Sequence, residues 1–193
     1  MNSEHPEDKL PKDARTLMKT SLKLISLRNV SPGQYWHNGL AKQLCILYKD
    51  TNVAELKLTF NIDGVPISIS SSSVLWPILC SEKGSSTVFP VGIYHGYSKP
   101  DCSNIFLREF VDELKDLCQN GLFIDNRLIS IKISFFCCDA PAKSFVLKIC
   151  GNNAFYGCTK CKQKGIRIEN RTSFPLVNCD LRNDEEFLQQ SHT

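Results

Sequence analysis

The chain has 193 residues with ten cysteines, 42% apolar and 22% charged residues and a net charge of +3. This length suits one well-buried domain, with room for a small appendage, and the composition is too apolar for wholesale disorder. No run of about 18 apolar residues is present, and Met1–Arg15 has no apolar signal-peptide core. A membrane protein and a secreted disulfide framework are therefore not expected; an intracellular protein with mostly reduced thiols is. A charge of +3 argues for no partner by itself.

Residues 1–34 mix charge with scattered apolar positions and end in the turn signal Ser31-Pro32-Gly33, so they read as an arm or linker. From Tyr35 onward, Trp36, Leu40, Leu44 and Leu47 recur at helical spacing, which predicts a short amphipathic helix. Strict alternation in Leu56-Lys57-Leu58-Thr59-Phe60-Asn61-Ile62-Asp63 predicts a strand with one covered face. Gly64 permits a turn, and Val65, Ile67 and Ile69 repeat the alternation as a hairpin partner that ends in Ser70–Ser73. A strand over Val88–Tyr94 is interrupted by Pro90, which places it at an edge or starts it late.

Ser103 is a suitable N-cap for a helix with Phe106, Phe110, Leu114 and Leu117 on one stripe and Gly121 at its C-cap. The β-rich run Leu128–Phe136 stops at Cys137-Cys138-Asp139, where a helix begins with Pro141 in its first turn. Cys137 and Cys138 are expected to pack in the core. The order is a mixed α/β pattern around one sheet.

Asp63 and Asp139 each close a hydrophobic strand. If those strands are neighbours the carboxylates meet, and carboxylates gathered at strand ends hold magnesium pairs about 3.5–4 Å apart in phosphodiester chemistry. Both acids also have structural readings, since Asp63-Gly64 is an ordinary turn and Asp139 an ordinary helix N-cap. Cys158 and Cys161 form a C-x-x-C with the spacing for one zinc ion. Cys179 and His192 are candidates to complete it, while Cys150 is set aside as lying on the preceding helix. Two reduced thiols in a turn are the alternative. Around the pair cluster Lys160, Lys162, Lys164, Arg167 and Arg171, a set able to meet phosphate or to be a solvated basic loop. His95 and Lys143 receive no role.

The strings LPKDARTLMKT, FNIDGVPISISSSSVLWPILC, VGIYHGYSKPDCSNIFLREFVDELKDLCQNG, FFCCDAPAKSFVLKI and YGCTKCKQKG, with LRNDEEF and a later histidine, resemble in that order the transposases of CACTA-type (En/Spm-like) mobile elements. The resemblance runs from about residue 10 to the end. It implies an incomplete ribonuclease-H-like domain over residues 35–152 and a cysteine/histidine zinc-type insertion over 153–193. It implies Asp63 and Asp139 as the first two of three catalytic acids, with Mg²⁺ as the ancestral cofactor. Zn²⁺ would be held through Cys158, Cys161 and His192, the first of a paired histidine whose second member is Thr193 here. The third acid lies further downstream in the family, and Asp184, Glu185 and Glu186 match a polar segment rather than that acid. The expectation is a transposase-derived, DNA-associated, nuclear or cytoplasmic protein, inactive for want of the third acid, with a homo-oligomer allowed. The alternatives are a metal-dependent nuclease completed by another carboxylate, and a non-enzymatic DNA- or protein-binding module.

Overall fold

The computed structural model describes residues 26–188 except 69, 152 and 177. Strands are β1 (Arg28–Val30), β2 (Gly33–His37), β3 (Glu55–Ile62), β4 (Val65–Pro66), β5 (Val74–Glu82), β6 (Val88–Gly96), β7 (Leu122–Ile124), β8 (Arg127–Cys137), β9 (Ile166–Ile168) and β10 (Arg171–Ser173). Helices are α1 (Leu40–Tyr48), α2 (Ser103–Asn120), α3 (Ala140–Leu147) and α4 (Asp184–Leu188). The architecture is mixed α/β. One sheet runs β1-β2-β6-β5-β3-β8-β7 with β4 beside β5, and β9–β10 form a separate hairpin. Within the main sheet β3–β8 is parallel and every other pair antiparallel. Among the described residues no helix is long and apolar enough to cross a membrane.

The alternation in β3 does what its period dictates: Leu56, Leu58, Phe60 and Ile62 are all buried on one face. Against that face α2 lays its stripe of Phe106, Phe110, Leu114 and Leu117, with Phe60 and Phe110 meeting edge-to-face at 5.1 Å between centroids. Each such side chain contributes roughly 1.5–3 kcal/mol by leaving water.

Five expectations are corrected. Tyr35 and Trp36 belong to β2, and the helix starts only at Leu40, because Gly39 at φ +91° turns the chain between them. The sheet thus begins at Arg28, inside the segment expected as an arm. The partner of β3 is β5, not Val65–Ile69: Val65 and Ile67 are exposed, whereas Trp76, Ile78 and Cys80 of β5 face the core; Ile69 lies outside the described residues. Strand β6 is internal, flanked by β2 and β5. Pro90 is tolerated there because the β2 pairing spans only Gly92–His95 and the β5 register slips beside Pro90. Finally, Ser103 is not the cap of α2. Cys102 holds that position, and the Ser103 hydroxyl is buried without a partner among the described residues.

Helix α1 lacks a capping side chain of its own, since Gly39 stands at its N-cap. Glu113 of α2 supplies the acceptor from a distance: its carboxylate accepts from Leu40 N (2.7 Å) and Ala41 N (3.0 Å). With its proton on Nε2, His37 donates to the same carboxylate at 3.0 Å and accepts from the Tyr35 hydroxyl at 2.9 Å. Burial pushes the Glu113 carboxyl up, but the hydrogen bonds from His37, Leu40 and Ala41 outweigh it and leave the group below its usual range. A carboxylate so lowered contributes stability above its unfolded value, near 4.3, and that contribution is lost as pH falls through the folded-state value. Glu113→Gln is expected to lower unfolding free energy at neutral pH by about 1–3 kcal/mol, as for other charge-assisted hydrogen bonds. In urea titrations the gap from the unsubstituted chain should narrow below about pH 4.

Candidate metal centre and cysteine loop

Parallel pairing brings the two acids to one end of the sheet. The β3–β8 register ends at Asn61 opposite Cys137, and Asn61 Nδ2 donates to the Cys137 carbonyl at 3.2 Å. Asp63 and Asp139 each stand two residues beyond that pair, on strands whose spacing is about 4.8 Å. The Cys138 thiol, next to Asp139 in the chain, is pushed up by burial and, more weakly, by Cys137, Asp63 and Asp139, against a lowering backbone contact from Ile62. Both carboxylates thus act on the same thiol. Cys138 packs against the core as expected, whereas Cys137 is exposed because it falls where β8 leaves the sheet.

Each acid also fills its structural role. Asp63 Oδ1 accepts from Gly64 N at 2.7 Å. A side chain at Gly64 would meet the Trp76 indole at 2.8 Å, so this turn requires glycine for close packing. Asp139 is the N-cap of α3 and accepts from Ala142 N at 2.6 Å, with proline in the first turn. One oxygen of each carboxylate is thereby committed to backbone. No basic side chain forms an ion pair with either among the described residues.

Beside the acids, α2, α3 and the end of β8 enclose a groove of about 430 Å³ lined by Leu107, Val111, Phe136, Cys138, Lys143 and Leu147, among others. Sequence reasoning missed it. The signal was a second apolar pair on α2, Leu107 and Val111, that the Phe106–Leu117 stripe does not use. Lys143 lines this groove and donates to Thr159 Oγ1 at 3.0 Å, which ties α3 to the cysteine loop.

In that loop the Cys158 and Cys161 sulfurs lie 3.1 Å apart without a disulfide. Residues 160–162 run antiparallel to 180–182 through Lys162 N→Asp180 O, Arg182 N→Lys160 O and the Cys161–Leu181 bridge. Cys179 lies two positions before Leu181 and is not gathered with the pair: among the described residues no group of three His, Cys, Asp or Glu side chains is placed to hold a metal. His192 lies outside the described residues. Cys150 follows α3 rather than lying on it, since Lys148 in the left-handed conformation ends that helix.

The basic residues differ in occupation. Lys162 pairs with Glu186 at 2.6 Å, and Glu186 is held by a reciprocal cap with Asn183. Arg167 donates to Thr172 Oγ1, Lys164 stands over the Tyr156 ring at 5.9 Å, and Lys160 and Arg171 are exposed. His95 of β6 bonds the Ser73 hydroxyl at 2.8 Å.

No protein-family model matches the chain, and no curated protein matches it. The capping role of Asp139 has a direct test in metal-free buffer. Asp139→Ala should destabilise the fold by about 1 kcal/mol in thermal or urea unfolding, whereas Asp139→Asn, a good N-cap, should cost little.

Proposed function

We propose that the chain is a piece of a cut-and-paste DNA transposase of the ribonuclease-H-like class, with Asp63 and Asp139 as its magnesium-binding acids, acting on DNA and hence nuclear. The observation that carries this reading is the parallel β3–β8 pair with an acid at the same end of each strand. Three further features support it. The antiparallel run β6-β5-β3 joined to a parallel β8 through a chain segment containing α2 is the arrangement such a domain needs. The outer edge of β8 beyond Ile129 has no strand partner among the described residues and carries exposed Ile133, Phe135 and Phe136, as an incomplete sheet would. The acids are hard oxygen donors, the ligand type magnesium takes, and neither is engaged in an ion pair among the described residues.

Bound there, magnesium would activate water and stabilise the leaving oxygen of a phosphodiester. The protein's own part is to hold two carboxylates in register, to keep one oxygen of each tied to backbone so that the other is oriented, and to flank them with an apolar wall from Ile62 to Leu147. Two carboxylates leave a second ion short of protein ligands, so the 193-residue polypeptide is expected not to cut or join DNA. The commitment of both Oδ1 atoms to backbone favours a second reading, a non-enzymatic DNA- or protein-binding module that keeps the fold alone.

Calorimetry separates the two readings. Weak manganese or magnesium binding that disappears in Asp63→Asn and in Asp139→Asn supports the metal site; no binding in the unsubstituted chain leaves the module. In a nicking assay on supercoiled DNA, background-level activity is expected, because each 1.36 kcal/mol missing at the transition state is about tenfold in rate. Metal-dependent nicking lost in both Asp63→Ala and Asp139→Ala would replace this reading with a nuclease completed by another carboxylate.

For the cysteine pair, two thiolates supply half of a tetrahedral zinc shell with Zn–S near 2.3 Å; Cys179 or His192 would supply a third ligand, Cys179 only by moving toward the pair, and a fourth position would remain. Protein purified without chelator is expected to carry up to about one equivalent of zinc, and the Cys158→Ser/Cys161→Ser variant none. Elemental analysis finding no zinc in the unsubstituted chain would reject this part.

A further inference from the structure

The positive charge of the chain is concentrated in one place. Residues 153–182 hold Lys160, Lys162, Lys164, Arg167, Arg171 and Arg182 against Glu169 and Asp180, a net +4 that Asp184, Glu185 and Glu186 of α4 reduce to +1 over residues 153–186, with Glu186 facing Lys162 rather than the hairpin cations. Only Lys162 forms an ion pair among the described residues of this segment. Two large aromatic side chains stand in the same loop with about half their surface in water, Phe155 at 48% and Tyr156 at 49%.

These parts are fastened together. Gly165 N donates to the Phe155 carbonyl at 2.6 Å, and Thr172 Oγ1 donates to the Asn153 carbonyl at 2.7 Å, which binds the aromatic turn to the β9–β10 hairpin. That hairpin turns through Glu169 and Asn170 at positive φ and carries Arg167 and Arg171 exposed on its two strands. Lys164 stands over the Tyr156 ring at 5.9 Å from its centre, so a cation lies against one side of a half-exposed ring. Arg182 pins the other side of the loop through the Cys158 carbonyl at 3.0 Å. Lys143 and Thr159 connect the loop to the helix that Asp139 caps.

We propose that this loop and hairpin form a docking face for single-stranded DNA, with Phe155 and Tyr156 stacking unpaired bases and Lys160, Lys164, Arg167 and Arg171 meeting the phosphates. The inference rests on the reading of the acid pair as a DNA-processing site and names the form of DNA held beside it. Exposed ring faces discriminate here. A base inside a duplex offers only its edges, whereas an unpaired base offers a face that stacks on an aromatic ring in any sequence. Cations without such rings would serve duplex backbone equally well. The coupling of both in one fastened unit favours the single strand.

The experiment is fluorescence anisotropy of the full chain with a labelled oligothymidylate of about 15 nucleotides, within the site sizes usual for such surfaces. Magnesium and manganese are left out, so the acid pair is not needed and the metal reading can fail or stand independently. Tyr156→Ala should weaken binding about tenfold, and Tyr156→Phe should retain it. Lys164→Gln with Arg171→Gln should weaken it and flatten the log–log salt dependence by about 1.4, at roughly 0.7 per cation on a single strand. Thermal melting of each variant checks that the fold is intact, and the Phe variant keeps the test decisive where the Ala variant melts early. Equal or tighter binding of a duplex hairpin of the same length overturns the proposal. So do preference for oligouridylate over oligothymidylate, and Tyr156→Ala binding as well as Tyr156→Phe.

Discussion

The structure turns on a single parallel pairing. Antiparallel neighbours can be joined by tight turns, as β5 and β6 are across Lys83–Thr87, but a strand parallel to its neighbour must be reached by a crossover. The stretch from β6 to β8 provides one, and its 18-residue helix α2 buries Phe106, Leu107, Phe110, Leu114 and Leu117 in the core. One stripe of α2 covers β3. Glu113, on the same helix, closes the amide end of α1 and grips His37 at the end of β2. Parallel pairing also makes the two strands end together. Asp63 and Asp139, far apart in sequence, arrive at the same sheet end because of it. Had β8 run antiparallel, the same residues would sit at opposite ends.

That arrival brings both acids within electrostatic reach of one thiol, Cys138. Backbone amides satisfy part of each acid: each carboxylate takes one N–H, from Gly64 or Ala142. These contacts explain why the acids have structural roles without a metal, and they also orient the remaining oxygens. A cap and a metal ligand are therefore not competing descriptions of Asp139. A carboxylate used as a cap is held in one rotamer, which is what a ligand needs if it is to be preorganised. Asparagine at this position separates the two roles, since it caps as well but brings no charge.

Much of this was legible in the chain, and the failures have physical causes. Elements whose period matches their surroundings were read correctly: β3 alternates because one face is covered, α2 carries a stripe because it lies on a sheet, and β8 gives way at Cys137-Cys138-Asp139, where Asp139 caps the next helix. Strand β5 escaped because Val74-Leu75-Trp76-Pro77-Ile78-Leu79-Cys80 does not alternate and contains a proline. Pro77 lies between the stretches of β5 paired with β4 and β3, where its missing N–H is not required by either. Tyr35 and Trp36 were drawn into a helix because their spacing to Leu40 and Leu44 happens to be helical, and only the backbone at Gly39 separates them. The long-range cap from Glu113 carries no local signal at all. It depends on three segments meeting, which periodicity cannot report.

The candidate site shows the same division. The acid pair could be placed from strand ends plus one assumption of adjacency, and the adjacency holds. The cysteine pair was found from spacing, whereas its relation to the acids depends on one side-chain contact, Lys143 to Thr159, that no motif encodes. The basic residues were visible as a cluster but not their inequality: Lys162 spends its charge on Glu186, while Lys160 and Arg171 face water. The aromatics at 155 and 156 stood in plain view beside the first cysteine and gained meaning only from their exposure. An aromatic pair in a small loop would ordinarily be its core. Here Arg182 and the hydrogen bonds to Asn153 and Phe155 hold the loop in shape, so the rings are not needed for that purpose and remain half in water.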